Sequence, residues 1–118
     1  MIFSIIIPVY NEEKTILKIL EKLDKLEFSK FKKEVIVIDD GSTDNTKNIL
    51  DKNNDLYNQL YSNNKNEGKG SAVKIGLQKC TGEYVVFQDA DLEYDPSDLL
   101  KFEDVFIKFK ADGIIGSR

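Results

Sequence analysis

The sequence predicts an α/β domain built on a single, mostly parallel sheet. Short runs rich in Ile, Val and Phe recur along the chain with little polar interruption, as in strands buried on both faces of a sheet. Segments with helical spacing of apolar residues separate them, which implies β-α-β units joined by right-handed crossovers. Three of the strand ends also carry polar or acidic residues, and open parallel sheets bind ligands outside the carboxyl ends of their strands.

Composition narrows the function classes. A chain of 118 residues is one domain, 1–118, large enough for a core and near the lower end for an enzyme with a cleft. Seventeen basic residues against 21 acidic ones give a net charge of -4, and no basic stripe is interleaved with aromatics, so nucleic acid is not the expected partner. The single cysteine, Cys80, excludes an internal disulfide and reads as a small core residue on a helix. The longest early apolar run, Ile5-Ile6-Ile7, is cut by Pro8, too short for a membrane span and unlike a signal peptide, which gives a cytoplasmic expectation.

In order, residues 2–7 form the first strand. Asn11 then reads as the cap of a helix with Glu12 and Glu13 in its first turn and Ile16, Leu20, Leu23 and Leu26 on its buried face. Residues 35–38 form a second strand ending at Asp39 and Asp40, followed by a turn and a helix to about Leu50. A weaker strand is expected over residues 56–61. The polar, Gly-rich stretch 63–70 leads into a helix with Val73, Gly76, Leu77 and Cys80 on one stripe, stopped at Gly82 before a strand over 83–88. Asp95-Pro96 starts a helix with Leu99, Phe102, Phe106 and Phe109 on one face, and Ile114-Ile115 is a last short strand.

The stretch that carries most chemistry is Val85-Val86-Phe87-Gln88-Asp89-Ala90-Asp91-Leu92. Side chains alternate along a strand, so Asp89 and Asp91 just past its end aim two carboxylates at one point, a geometry suited to a hard divalent cation. With no histidine and one cysteine, the acids favour magnesium-like chemistry on a phosphorylated ligand over zinc. Taken alone, the triplet is more often a polar turn before a helix. Acids at corresponding ends of several buried strands shift the balance towards a nucleotide-type site. Two look-alikes fail: Gly68-Lys69-Gly70-Ser71 has Asn63 where a Walker loop needs glycine, and Val73 stands where the dinucleotide fingerprint needs its third glycine.

Pro8-Val9-Tyr10-Asn11-Glu12-Glu13, Val37-Ile38-Asp39-Asp40-Gly41-Ser42-Thr43-Asp44, Asn66-Glu67-Gly68-Lys69-Gly70 and Asp89-Ala90-Asp91 together resemble the successive signatures of family 2 glycosyltransferases. Asp89-Ala90-Asp91-Leu92 with Gly116-Ser117-Arg118 is most similar to the polyprenyl-phosphate (dolichol-phosphate) mannosyl- and glucosyltransferases. The resemblance covers the whole chain and corresponds to the amino-terminal, donor-binding half of the family's catalytic domain. It implies a three-layer α/β/α GT-A fold, Rossmann-like and truncated.

By the same resemblance, Pro8, Tyr10 and Glu12 line the nucleoside pocket, with Ile38 and Asp40 beside the base or ribose. A ring that stacks and carboxylates that accept from N–H or hydroxyl groups suit such a pocket. Asp89, Ala90 and Asp91 would hold Mg2+ or Mn2+ against the donor diphosphate, with Arg118 and Lys69 near the phosphates or sugar. The implied reaction is inverting transfer from a nucleotide-diphosphate sugar, of the GDP-mannose or UDP-glucose type. A polyprenyl-phosphate acceptor, which would bring the protein to the membrane periphery, needs no general base because a phosphomonoester is already largely ionised. A partner chain or self-association would complete the cleft. Two other readings stay open: a non-catalytic sugar-nucleotide-binding module or inactive fragment, and, further off, a receiver-like phosphoacceptor domain.

Overall fold

The computed structural model describes residues 2–28, 31–88, 90 and 115–116. Its strands are β1 (Ile2–Val9), β2 (Lys32–Asp39), β3 (Gln59–Ser62), β4 (Tyr84–Phe87) and β5 (Ile115–Gly116), and its helices are α1 (Ile16–Lys25), α2 (Thr46–Lys52) and α3 (Lys69–Lys79). The strands form one sheet in the order β3-β2-β1-β4-β5, and every pairing is parallel. β1 pairs with β2 from Ile2↔Lys32 to Val9↔Asp39, and with β4 from Phe3↔Tyr84 to Ile6↔Phe87. Strand order therefore reverses beside β1, between the β1-to-β2 connection and the return to β4.

Alternation along β1 and β2 sends two apolar sets to opposite faces. Phe3, Ile5, Ile7, Val35 and Val37 meet Ile16, Ile19, Leu20 and Leu23 of α1 and Leu50 of α2, while Ile6, Ile36 and Ile38 face Ala72 of α3. This is the expected α/β/α layering. Three-layer packing explains why the central strands read as continuous apolar runs: neither face meets water.

The elements differ from the expectation in several places. α1 starts at Ile16, with Thr15 at its N-cap, and has no acid in its first turn. Asn11 sits four residues earlier in a left-handed conformation (φ 51°) and is not the cap. At the other end of α1, Lys33 reaches from β2 to donate from Nζ to the carbonyls of Leu23 (2.6 Å), Asp24 (2.9 Å) and Leu26 (2.6 Å). An ammonium there satisfies orphan carbonyls and suits the negative end of the dipole. Burial lowers the Lys33 pKa, against the raising pull of Asp24 and Glu27.

Residues 54–56 form a single 3-10 turn in place of the start of the third strand, which begins only at Gln59. Of the expected α3 stripe Val73, Gly76, Leu77 and Cys80, Gly76 is buried and Cys80 packs on the core, but the other buried position is Ala72 instead of Val73, and Leu77 is 43% exposed. The reason is space: a Cβ on Gly76 would stand 2.4 Å from Ile6 Cγ2, so α3 approaches the sheet through its small residues. Cys80 is half-buried against the same face, with its thiol donating to Leu77 O at 3.3 Å. The helix expected after Asp95-Pro96, with Leu99, Phe102, Phe106 and Phe109, lies outside the described residues, as does residue 114 of the last strand.

At the amino-terminal edge of the sheet, Ser4 is fully buried and its Oγ donates to Glu34 Oε1 (2.8 Å) while accepting the Gly82 N–H (2.9 Å). Glu34 also accepts from Thr81 N and Thr81 Oγ1, each at 2.9 Å. Burial pushes the Glu34 pKa up, but these bonds to its charged form outweigh it and the net shift is downward.

Candidate functional site

A cavity of about 310 Å³ opens at the carboxyl ends of β1, β2 and β4, where strand order reverses. Pro8, Val9, Tyr10 and Glu12 supply one wall, Asp40 the floor, Asn66, Gly68, Lys69 and Ala72 a second wall, and Ala90 the side beyond β4. The sequence-predicted Pro8, Tyr10, Glu12, Asp40, Lys69 and Ala90 are thus brought together. Ile38 is not on the wall: it is fully buried beneath α3. Asp89, Asp91 and Arg118 lie outside the described residues. Val9, Asn66, Gly68 and Ala72 were not singled out from sequence as lining residues. Asn66 and Gly68 stand within one of the quoted motifs, and Ala72 is a small residue in the first turn of α3.

Two loops are stitched together to make the first wall. Asn11 Oδ1 accepts the N–H groups of Thr43 (2.7 Å) and Asp44 (3.2 Å), and Asn11 N donates to Ser42 Oγ (3.0 Å). Glu12 N donates to Thr46 Oγ1 (3.0 Å), Glu13 N to Asp44 Oδ2 (3.3 Å), and Asn45 N to Glu13 Oε1 (3.0 Å). Bonds across more than 30 residues hold Tyr10 and Glu12 against the β2 end, and the left-handed turn at Asn11 is one that asparagine tolerates. Tyr10 lines the cavity and is left 40% exposed.

The second wall hangs from Asp40, which is 3% exposed. Its Oδ1 accepts from Asn63 Nδ2 (2.8 Å) and Glu67 N (3.0 Å), and its Oδ2 from Gly68 N (2.9 Å). A carboxylate offers about four acceptor sites, so Oδ2 keeps capacity for a ligand hydroxyl or N–H. Neighbouring Asp39 accepts Ser42 N at 3.1 Å and shapes the turn through Gly41. The Asp44 pKa is drawn up by desolvation and down, more strongly, by bonds from Thr46 and Glu13. Among the described residues, no three His, Cys, Asp or Glu side chains cluster to hold a metal.

Parallel β-α-β layering with a cavity at the switch point defines a nucleotide-binding class of α/β protein. The profile of the Glycosyl transferase family 2 matches residues 4–118, and the chain belongs to that family. It is 36% identical over 120 residues to an uncharacterized protein of Methanocaldococcus jannaschii, covering 96% of this chain and 50% of that one. Poly(ribitol-phosphate) beta-N-acetylglucosaminyltransferase TarS of Staphylococcus aureus is 40% identical over 111 residues, covering 91% of this chain and 19% of TarS. An undecaprenyl-phosphate 4-deoxy-4-formamido-L-arabinose transferase of Pseudomonas fluorescens is 34% identical over 105 residues, covering 81% of this chain and 30% of the relative.

Among solved structures, S. aureus TarS 1-349 with UDP-GlcNAc superposes with a TM-score of 0.77 at 38% identity, over 92% of this chain and 31% of that one. The mannosyltransferase PcManGT of Pyrobaculum calidifontis, in complex with GDP-Man and Mn2+, superposes at 0.68 with 33% identity, over 75% and 27%. The fold is the GT-A type of nucleotide-sugar transferases. The chain spans half the length of the archaeal relative and smaller shares of the others.

Proposed function

We propose that this chain binds a nucleotide-diphosphate sugar in the cavity and serves its transfer to an acceptor. The observation that carries the reading is the convergence of Pro8, Tyr10, Glu12 and Asp40 with Lys69 and Ala90 on one cavity at the switch point. Tyr10 presents a ring for stacking on the base, Asp40 and Glu12 accept from ribose hydroxyls or base N–H groups, and Lys69 places a cation beside the phosphates.

Asp89 and Asp91 flank Ala90 and hold Mg2+ or Mn2+ in this reading, with Arg118 meeting the phosphates or sugar. The donor set fits by residue type: the chain has no histidine and one cysteine, and carboxylate oxygens suit either of these hard cations. When bound, the cation supplies Lewis-acid stabilisation of charge on the departing diphosphate. Tyr10, Asp40 and Glu12 orient the nucleoside so that the sugar faces the acceptor side. The named Pseudomonas relative and the ready ionisation of a phosphomonoester support a polyprenyl phosphate as acceptor.

Calorimetric titration of UDP-glucose, UDP-GlcNAc and GDP-mannose, with and without Mn2+, tests the reading. One donor is expected to bind more tightly with metal, and an Asp89→Ala, Asp91→Ala double variant is expected to lose that gain. Absence of binding by every nucleotide sugar tried would overturn it.

A further inference from the structure

Two cavity residues meet at one backbone amide. The Gly68 N–H is shared between Asp40 Oδ2 and Asn66 Oδ1, each at 2.9 Å, so a carboxylate and a side-chain amide stand side by side in the cavity lining. Asp40 is buried and held by its three protein donors, and Oδ2 keeps room for a donor from a ligand.

The same bond orients the Asn66 amide. Only its oxygen can accept the Gly68 N–H, which turns the NH2 group to the other side of the planar amide. Asn63, three residues earlier, spends its NH2 group on Asp40 Oδ1, whereas Asn66 Nδ2 makes no bond within the protein. Asn66 is exposed, so a ligand in the cavity reaches that NH2 group by displacing only water.

An anchored acceptor beside an oriented donor matches the edge of a nucleobase, where an N–H lies next to a carbonyl oxygen or a bare ring nitrogen. We infer that Asn66 is a specificity-determining residue that, together with Asp40, reads this edge of the donor's base. Asp40 Oδ2 accepts the base N–H, and Asn66 Nδ2 donates to the acceptor beside it. The inference rests on the donor-site reading above and assigns to Asn66 the choice among bases. An asparagine that only braced the loop would act on every nucleotide alike.

The test titrates UDP, GDP, CDP and ADP, all in Mn2+ buffer, against the full protein as wild type, Asn66→Asp and Asn66→Ala. The wild type is expected to bind one base at least about tenfold more tightly than the weakest, the worth of a paired edge contact. Asn66→Asp keeps the oxygen that Gly68 needs and replaces the NH2 donor by an acceptor, so the preferred nucleotide is expected to lose that lead. The four ligands share ribose and diphosphate, so the added charge acts on all of them and cancels from the ratios. Asn66→Ala, which adds no charge, is expected to lose the lead as well. A wild type that binds all four equally overturns the inference and leaves the donor site standing, as do variants that keep the lead, with affinities unchanged or lowered in one proportion. If none of the four binds, the donor-site reading falls and this inference falls with it.

Discussion

Asp40 Oδ2 accepts the N–H of Gly68 at 2.9 Å, so a buried carboxylate at the end of β2 sets the position of the residue that opens α3. With the Glu67 N–H and the Asn63 amide on Oδ1, it holds the whole second wall of the cavity. Asp40→Ala removes the acceptor of all three bonds. The cost is expected to be about 2–3 kcal/mol, read as a lower denaturant midpoint. Nucleotide affinity is expected to fall more than tenfold in the same variant, because wall and floor are lost together. Unchanged affinity would detach Asp40 from the site.

Tyr10 is the one exposed aromatic residue lining the cavity among the described residues. If it stacks on the base, Tyr10→Ala weakens nucleotide binding by about 1–3 kcal/mol, while Tyr10→Phe changes it little. Equal losses in both variants would assign the effect to the hydroxyl. Fluorescence or calorimetric titration with UDP and GDP separates the two.

Much of this arrangement was legible in the sequence because it depends on local pattern. The apolar runs of β1 and β2, the buried face of α1 and the cavity residues Pro8, Tyr10, Glu12 and Asp40 all follow from period, punctuation and motif. What was not legible depends on distant partners. Asn11 looks like a helix cap to its neighbours, but its amide oxygen is taken by Thr43 and Asp44, more than 30 residues away. Lys33 precedes the strand expected over 35–38, in a charged stretch that gives no sign of the three carbonyls the end of α1 places around its ammonium. On α3 the expected inward Gly76 is buried, but Val73 and Leu77 were expected beside it because they are large and apolar, whereas the close approach to Ile6 at Gly76 brings in the small Ala72 and leaves Leu77 exposed.

Glu34 gives a pH dependence with a defined sign. Its pKa is lower in the folded protein than its ordinary value of 4.5, so its stabilisation is fully present above that value. The contribution is lost as pH falls through the folded-state pKa, when the bonds from Ser4 and Thr81 meet a protonated carboxyl. Denaturant midpoints between pH 7 and pH 3 are expected to fall less steeply for Glu34→Gln than for wild type. Some slope remains in the variant, because Asp44 is shifted in the same direction. Identical slopes would show that the Ser4–Glu34–Thr81 bonds do not favour the charged form.

Gly76 and Ile6 form a tight contact between α3 and β1. A Cβ at position 76 would meet Ile6 Cγ2 at 2.4 Å, and Ile6 is fully buried. Gly76→Ala is expected to cost about 1–3 kcal/mol through overpacking. Ile6→Ala is expected to cost about 2–5 kcal/mol through the space it leaves. The double variant should cost less than the sum, since the new methyl occupies part of that space. Strict additivity in a double-mutant cycle would mean that α3 moves away from the sheet instead.

Glycine-to-alanine changes at positions 41 and 70 are expected to have opposite signs. Gly41 has φ 74°, and a Cβ there would stand 2.3 Å from Lys65 C and 2.5 Å from Asn66 N. Those are backbone atoms that cannot swing aside as a side chain does. The left-handed conformation alone costs an alanine about 1–2 kcal/mol, and relieving the clash pushes the 65–68 loop off Asp40. Gly70, in the first turn of α3, has no heavy atom within 4 Å of a Cβ, so alanine there gains helix propensity of up to about 1 kcal/mol. Amide hydrogen exchange reads the difference directly. The Glu67 and Gly68 amides bonded to Asp40 should exchange faster in Gly41→Ala and no faster than wild type in Gly70→Ala. Unchanged protection in Gly41→Ala would show that the loop and the Asp40 anchor do not depend on close approach at Gly41.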